Sequence, residues 1–134
     1  MSGRWKNFVD ELNGRKMRVL LVEDDVVIRM ATAEMLSDLG YDVVEAGSVK
    51  EASIALNTEP LQMLFADLGL PDGNAMELVE DVLKSRSDMP VIVASGADLR
   101  EHIDNNAGHS ITKLVKPYDL NSLEMALKQS IRDR

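Results

Sequence analysis

The chain has 134 residues, enough for one hydrophobic core but too few for two, and 45% hydrophobic with 28% charged residues is typical of a soluble globular domain. A net charge of −8 argues against general binding to nucleic acid or anionic membranes, and the absence of cysteine excludes disulfides, thiolate metal sites and a cysteine nucleophile. No apolar stretch approaches the roughly 18 residues of a membrane-spanning helix and no signal peptide is evident, so we expect a cytoplasmic protein.

The first predicted element is an amphipathic helix that precedes the sheet. Trp5, Phe8, Val9 and Leu12 follow helical spacing, and the pattern ends near Gly14. We assign this extension to residues 1–16 and the main domain to 17–134. The apolar face of the helix needs a partner, either its own domain or a second chain in a homodimer.

Short apolar stretches then alternate with amphipathic ones five times. This alternation is typical of βα units and predicts a parallel sheet. Strands are predicted near 17–22, 42–46, 61–66, 90–94 and 111–115. Helices are predicted at about 26–39, from residue 48 onward, at about 74–85 and at about 119–132.

The first of these helices is predicted to pack on the sheet through a stripe of apolar residues and to end at Gly40. The stripe consists of Ile28, Ala31, Met35 and Leu39.

Two other helices carry start signals. Ser48 and Glu51 form a capping box, and Asn74 with Glu77 is predicted to play a similar part. The residues predicted to be buried on the later helices are Ala52, Ala55 and Leu56, then Val79, Val82 and Leu83, and finally Leu123, Leu127 and Ile131.

Residues 97–110 interrupt the alternation. The stretch from Asp104 to Ser110 is polar and turn-forming, so a fourth helix is expected to be short, roughly 98–104. His102 and His109 lie in this segment and are expected to be solvated rather than metal ligands.

Polar residues stand at the C-terminal ends of four predicted strands. Glu23 and Asp24 follow the first, Asp67 the third, Ser95 the fourth and Lys116 the fifth. The C-terminal ends of parallel strands lie along one edge of a sheet, where ligands bind. Three acids, a hydroxyl and a lysine are therefore predicted to converge on one pocket.

These groups suit phosphoryl transfer. Clustered acids repel one another, so they should share protons or hold a hard cation, and a set without His or Cys suits Mg²⁺. Lys116 would supply a positive charge and Ser95 a hydroxyl donor for the phosphoryl group. Asp67 could accept that group as an acyl phosphate.

Each residue alone has an ordinary structural explanation. Acids after a strand often stabilise the start of a helix, an Asp near Pro-Asp-Gly is often part of a turn, and most lysines are solvated. Their joint occurrence at four strand ends favours a functional site.

Four motifs, in this order and spacing, resemble the receiver domain of two-component response regulators over residues 17–132. The motifs are Val-Leu-Leu-Val-Glu-Asp-Asp at 19–25, Asp-Leu-Gly-Leu-Pro-Asp-Gly at 67–73, Ala-Ser-Gly at 94–96 and Lys-Pro-Tyr at 116–118. The resemblance implies a three-layer α/β fold with a doubly wound, five-stranded parallel sheet in the flavodoxin-like order 2-1-3-4-5.

The resemblance also implies a role for each residue that meets the phosphoryl group. Asp67 would be the phosphoacceptor, and a histidine kinase or a histidine phosphotransfer protein would be the donor. Ser95 would follow the phosphoryl group and Lys116 would pair with it. Pro117 is expected to follow a cis peptide bond.

The same resemblance implies a Mg²⁺ site. Asp24 and Asp67 would bind the ion, Glu23 would bind it through water, and Gly69 would bind it through its backbone carbonyl.

Three consecutive acids follow the first strand, and only two of them can be the acidic pair of the family. In the family an Arg often lies five residues after the metal-binding acid, and Arg29 is five residues after Asp24. The pair is therefore Glu23 and Asp24, and Asp25 is left to cap the following helix.

Departures from the family pattern indicate how the signal leaves the site. Lys113 occupies the position of the usual aromatic switch residue, and is either solvated on an edge strand or used in partner binding. The Ala-Ser-Gly strand end resembles in part a receiver subgroup with a Phe-Ala-Thr-Gly motif, with Val93 in place of the Phe. By that resemblance residues 96–110 are expected to order on phosphorylation, so that the signal travels through Ser95 and this loop.

The predicted function is a stand-alone response regulator that catalyses its own phosphorylation and dephosphorylation but is not otherwise an enzyme. Too few residues follow the last helix for a DNA-binding module. We therefore expect signalling by contact with a downstream protein, on the face formed by the fourth helix, fifth strand and fifth helix.

Three alternatives remain. The domain could act as a phosphate sink or shuttle in a phosphorelay. It could be a Mg²⁺-dependent aspartate-nucleophile phosphohydrolase, although such enzymes usually carry a second Asp where this chain has Gly69. It could also be an unphosphorylated pseudo-receiver, although that class is expected to have lost an acid or the lysine.

Overall fold

The structure is a computed structural model that describes residues 16–69, 75–96 and 111–132. The strands are β1 (Arg18–Val22), β2 (Asp42–Ala46), β3 (Met63–Asp67), β4 (Val91–Ser95) and β5 (Ile111–Val115). The helices, numbered in chain order within these ranges, are α1 (Val26–Asp38), α2 (Val49–Thr58), α3 (Ala75–Ser85) and α4 (Leu120–Arg132). The predicted strands and helices within these ranges are all present, with boundaries that differ by one or two residues.

The five strands form one parallel sheet in the order β2-β1-β3-β4-β5. This order confirms the flavodoxin-like topology expected from the sequence. Every residue of β3 and β4 is buried, because helices cover both faces of the sheet.

The core consists of two clusters, one on each face of the sheet. One cluster packs α2 and α3 against the sheet, and the other packs α1 and α4 on the opposite face. The fold is therefore the predicted three-layer arrangement. The residues predicted to be buried on α3 and α4 are buried, as are Ala52 and Ala55 of α2, whereas Leu56 is only partly buried.

Local sequence signals fix the helix ends as expected. The Asp25 side chain accepts a hydrogen bond from the Ile28 N–H at 3.0 Å and caps α1. The Ser48 hydroxyl accepts the Glu51 N–H at 3.1 Å and caps α2. Gly40 has a φ of 96°, a left-handed conformation that glycine adopts without strain after the end of α1.

The apolar stripe predicted for α1 is correct only in its second half. The buried residues of α1 are Thr32 and Leu36, whereas Ile28 and Ala31 are exposed. Met35 and Leu39 are partly buried and pack against the core. The α1 sequence is apolar at most positions, so its pattern does not identify the side that faces the sheet.

Several predictions fall outside the described residues. They concern the N-terminal helix of residues 1–15, the cap at Asn74, the fourth helix near 98–104 and the two histidines. Among the helices that the structure describes, none is long and apolar enough to cross a membrane.

Candidate functional site

The predicted convergence of strand-end residues is present. Glu23 directly follows β1, Asp67 ends β3, Ser95 ends β4 and Lys116 directly follows β5. The parallel register aligns these ends, because Asp67 is paired with Ala94 and Ser95 is paired with Val115. The four side chains therefore belong to one edge of the sheet.

Lys116 connects two of the acids directly. Its Nζ lies 2.9 Å from Oδ2 of Asp67 and 3.1 Å from Oε1 of Glu23. Both carboxylates are almost fully buried, at 5% and 3% exposure, whereas the lysine side chain keeps 27%. The ammonium thus provides the positive charge that two buried carboxylates require.

Burial and the neighbouring charges change the pKa of Glu23 and of Lys116. Burial, together with hydrogen bonding and repulsion from Asp67, raises the pKa of Glu23 to about 7. Burial acts to lower the pKa of Lys116, but its contacts with Asp67 and Glu23 outweigh this effect and the pKa is raised. The lysine is therefore charged at neutral pH, while Glu23 is poised between its two forms.

The loop between β1 and α1 is held by hydrogen bonds around Glu23. The Glu23 side chain accepts the Asp25 N–H at 3.1 Å, and its backbone carbonyl accepts Nη1 of Arg29 at 2.9 Å. Arg29 also donates through Nε to Glu45 on β2 at 3.3 Å. Arg29 thus fixes the backbone that carries Glu23 and Asp24, a role that the sequence did not predict.

The three acids form a candidate site for a divalent cation. One carboxylate oxygen from each of Glu23, Asp24 and Asp67 lies within 4.8 Å of the others, and Asp24 is exposed. This all-oxygen set fits a hard ion such as Mg²⁺, which keeps part of its hydration shell. The Gly69 N–H donates to Oδ1 of Asp67 at 3.2 Å and fixes the orientation of that carboxylate.

Ser95 and Lys113 lie on adjacent strands but differ in exposure. Ser95 is buried beside the acids, at 3% exposure, and its carbonyl accepts the Lys116 N–H at 2.9 Å. Lys113 is exposed on β5, at the edge of the described sheet. The position taken by an aromatic switch residue in most of the family is thus a surface lysine here.

A hydrogen bond that the sequence did not predict connects α1 with the Lys116 loop. The hydroxyl groups of Thr32 and Tyr118 are 2.7 Å apart. The Tyr118 ring meets Phe65 edge-on, with a centroid distance of 5.9 Å and an interplanar angle of 61°. Burial raises the pKa of Tyr118, so its hydroxyl keeps its proton at neutral pH. The Lys116–Pro117 peptide is cis, as expected.

An apolar groove lies beside the site, between α1 and the loop from β5 to α4. Its volume is about 460 Å³. The residues that line it are Val27, Ile28, Ala31, Thr32, Met35, Lys116, Pro117 and Tyr118. The apolar residues of α1 that do not face the core therefore form a surface that includes the site lysine.

Comparison with known proteins decides the family. A family model for the response regulator receiver domain matches residues 19–128. The chain belongs to this family. The motifs that carry the resemblance in the sequence, at strand ends 19–25, 67–73, 94–96 and 116–118, all lie within the matched range.

Individual relatives agree with this assignment. The receiver domain is 32% identical over 119 residues to the transcriptional regulatory protein CrdR of Helicobacter pylori, covering 87% of this chain and 55% of that protein. It is 29% identical over 117 residues to the transcriptional regulatory protein PdtaR of Mycobacterium tuberculosis, covering 85% and 56%. The chain thus spans about half the length of these relatives.

A solved structure also matches closely. The CheY-like response regulator receiver domain protein from Methanospirillum hungatei superposes with a TM-score of 0.77 at 29% identity, over 87% of this chain and 94% of that one.

Proposed function

We propose that this receiver domain is a Mg²⁺-dependent phosphoacceptor whose acceptor group is the carboxylate of Asp67. The observation that carries this proposal is the position of Lys116, whose Nζ contacts Asp67 at 2.9 Å inside a cluster of three acids. A buried carboxylate with a fixed cation beside it can receive a phosphoryl group without unpaired charge.

The proposed reaction forms one bond and breaks another. A carboxylate oxygen of Asp67 attacks phosphorus, and the bond from phosphorus to a histidine nitrogen of the donor breaks. The leaving imidazole takes a proton, and Asp67 becomes an acyl phosphate. Lys116 would stabilise the charge on the phosphoryl oxygens, and Ser95, buried at the end of β4, would donate its hydroxyl hydrogen to one of them.

Asp24 and Asp67 would hold Mg²⁺, with Glu23 acting through water and Gly69 through its carbonyl. The ion, when bound, neutralises charge on the acids and on the incoming phosphoryl group. The clustering of three carboxylates supports this assignment, since one oxygen from each lies within 4.8 Å of the others.

The proposed donor is a histidine kinase or a histidine phosphotransfer protein, and the proposed output is contact with a downstream protein. We propose a domain that acts on its own in this way, in the cytoplasm, and whose only catalysis is of its own phosphorylation and dephosphorylation. The apolar groove beside Lys116 supports protein contact near the site, because exposed apolar surface of this kind is typical of interfaces.

Incubation with acetyl phosphate and Mg²⁺, followed by intact-mass measurement, tests the proposal. We expect wild type to gain one phosphoryl group and Asp67→Asn to gain none. Asp42→Asn, an exposed acid at the start of β2, is the matched control and should be labelled like wild type. An unlabelled wild type, or equal labelling of Asp67→Asn, would overturn the proposal.

A further inference from the structure

Tyr118 is connected to two other parts of the fold as well as to the Lys116 loop. It lies two residues after Lys116, its hydroxyl pairs with Thr32 of α1 at 2.7 Å, and its ring packs edge-on against Phe65 of β3. Phe65 is itself two residues before Asp67 in the same strand. One side chain thus links the loop that carries the lysine to the strand that carries the acceptor.

Packing alone does not require the two hydroxyl groups of Thr32 and Tyr118. A phenylalanine would supply the same ring contact with Phe65 without a hydroxyl to satisfy. Thr32 is also polar at a position that is 1% exposed, on the side of α1 that otherwise buries Leu36. Each hydroxyl loses contact with water on folding, and each recovers a hydrogen bond from the other.

The hydrogen bond between Tyr118 and Thr32 acts on the Lys116 backbone, which the sheet otherwise holds from one side only. The Lys116 N–H is held by the Ser95 carbonyl at 2.9 Å, as the continuation of the ladder between β5 and β4. After Lys116 the chain leaves the sheet, and α4 begins at Leu120. Between these points, Tyr118 is the residue whose side chain contacts both α1 and β3 within the described part of the chain.

We propose that Tyr118 is a positioning residue, which holds the Lys116 backbone through its hydrogen bond with Thr32 so that the ammonium is directed at the phosphoryl site. A lysine side chain is long and loses considerable entropy when its end is fixed, so a fixed backbone lowers the cost of that ordering. This inference rests on the proposed function of Lys116 and Asp67. It predicts that loss of the Tyr118 hydroxyl weakens binding of the phosphoryl group without weakening binding of the metal, because the acids that would hold the ion stay in place and Lys116 is not among them.

Binding of beryllium trifluoride, a stable mimic of the phosphoryl group on an aspartate, provides the test. Affinity is measured by fluorine NMR at saturating Mg²⁺, and Mg²⁺ affinity is measured separately by calorimetry. We expect Tyr118→Phe and Thr32→Val each to weaken beryllium trifluoride binding by about threefold to tenfold, the effect of losing one neutral hydrogen bond, without weakening Mg²⁺ binding. Thr32→Ser keeps the hydroxyl and should bind like wild type.

Tyr41→Phe is the matched control, since Tyr41 is the other tyrosine of the chain and is buried just after the end of α1. It should leave both affinities unchanged. Equal beryllium trifluoride affinity in Tyr118→Phe and wild type overturns the inference alone, as does an equal loss of affinity for both ligands. A wild type that binds Mg²⁺ but no beryllium trifluoride contradicts the proposed function itself.

Discussion

At the scale of residues, Lys116 sets the electrostatics of the site. Its ammonium is shared between two carboxylates, and the acids on either side of it are buried. A cation bound by Asp24 and Asp67 would add a second positive charge to the same cluster. The lysine and the metal therefore both relieve the repulsion between the acids, and removing either should make the other more important.

The first prediction concerns the metal. In Asp24→Asn we expect most of the Mg²⁺-induced rise in melting temperature to be lost, because one of the three clustered acids is neutralised. Wild type at about 100 times its Kd should gain about 2.7 kcal/mol from the ion. Thermal unfolding with and without Mg²⁺ measures the effect.

Asp25→Asn is the control for this substitution, since asparagine caps a helix as well as aspartate does and Asp25 is outside the cluster. It should retain the Mg²⁺ response. Loss of the response in Asp25→Asn but not in Asp24→Asn would show that the proposal assigns the metal to the wrong acid.

The second prediction concerns the lysine. Lys116→Met keeps the apolar stem but leaves the buried carboxylates of Glu23 and Asp67 without their cation. We expect the free energy of unfolding without Mg²⁺ to fall by about 1–3 kcal/mol, and the Mg²⁺-induced gain to exceed that of wild type. Denaturant unfolding of both proteins, without Mg²⁺ and at saturating Mg²⁺, provides the measurement.

Lys128→Met provides the comparison, because Lys128 is exposed and pairs with the exposed Glu124 on α4, at 3.8 Å. It should change the free energy of unfolding little under either condition. Equal effects of the two substitutions would show that the site lysine carries no special electrostatic role.

The sequence predicted the convergence of the strand-end residues because each one directly follows or ends an apolar strand. One rule, that parallel strands end at the same edge of a sheet, is enough to predict that four of these residues lie together. They are Glu23, Asp67, Ser95 and Lys116. The sequence did not predict the bond between Thr32 and Tyr118, which are 86 positions apart and belong to no shared pattern. A threonine in an apolar helix is a weak signal of a buried partner, and the Lys-Pro-Tyr motif does not indicate a partner for the tyrosine hydroxyl.

At the scale of elements, α1 departs most from its predicted packing. The helix turns Thr32 and Leu36 toward the sheet and leaves Val26, Val27 and Met30 exposed. Tertiary contacts decide this rotation, because Leu36 belongs to the buried cluster that α1 shares with the sheet and α4. A helix that is apolar on several sides can be oriented only by the shape of what it packs against.

The third prediction tests this orientation. Leu36→Ala should lower the free energy of unfolding by about 2–5 kcal/mol, because it leaves a cavity in the core. Val27→Ala, at 77% exposure, should change it by less than about 0.5 kcal/mol. Urea denaturation of both variants measures the difference, and a larger effect at Val27 would contradict the orientation seen in the structure.

The fourth prediction concerns the cap of α2. Ser48→Ala removes the acceptor for the Glu51 N–H and should cost about 1 kcal/mol. Ser53→Ala, in the middle of the same helix, should be neutral or slightly stabilising because alanine is the better helix former. A cost at Ser53 equal to that at Ser48 would argue against the capping contribution.

At the scale of the whole molecule, the order of strands divides the sheet into a centre and two edges. Strands β1, β3 and β4 each have two neighbours, whereas β2 and β5 each have one in the described sheet. Alternation of strands and helices in the sequence predicted the sheet and its layers. The strand order came from the family resemblance, because alternation alone does not determine which strands are adjacent.

The fifth prediction follows from this division. Amide hydrogen exchange should be slowest in β1, β3 and β4, because their hydrogen bonds open only when the core opens. Exchange should be faster in β2 and β5. Exchange measured by NMR or mass spectrometry checks this, and edge strands as slow as the central ones would contradict it.

The parallel topology has a consequence for how the domain matures. Lys116 and Glu23 lie 93 positions apart in the chain, and the strands that carry Asp67 and Ser95 lie between them. A partly synthesised or partly folded chain therefore holds the acids before it holds the lysine that pairs with them. If Lys116 pairs with the phosphoryl group as proposed, a phosphoryl mimic binds only once β5 is docked, so mimic binding by the purified domain reports that its last described strand has folded.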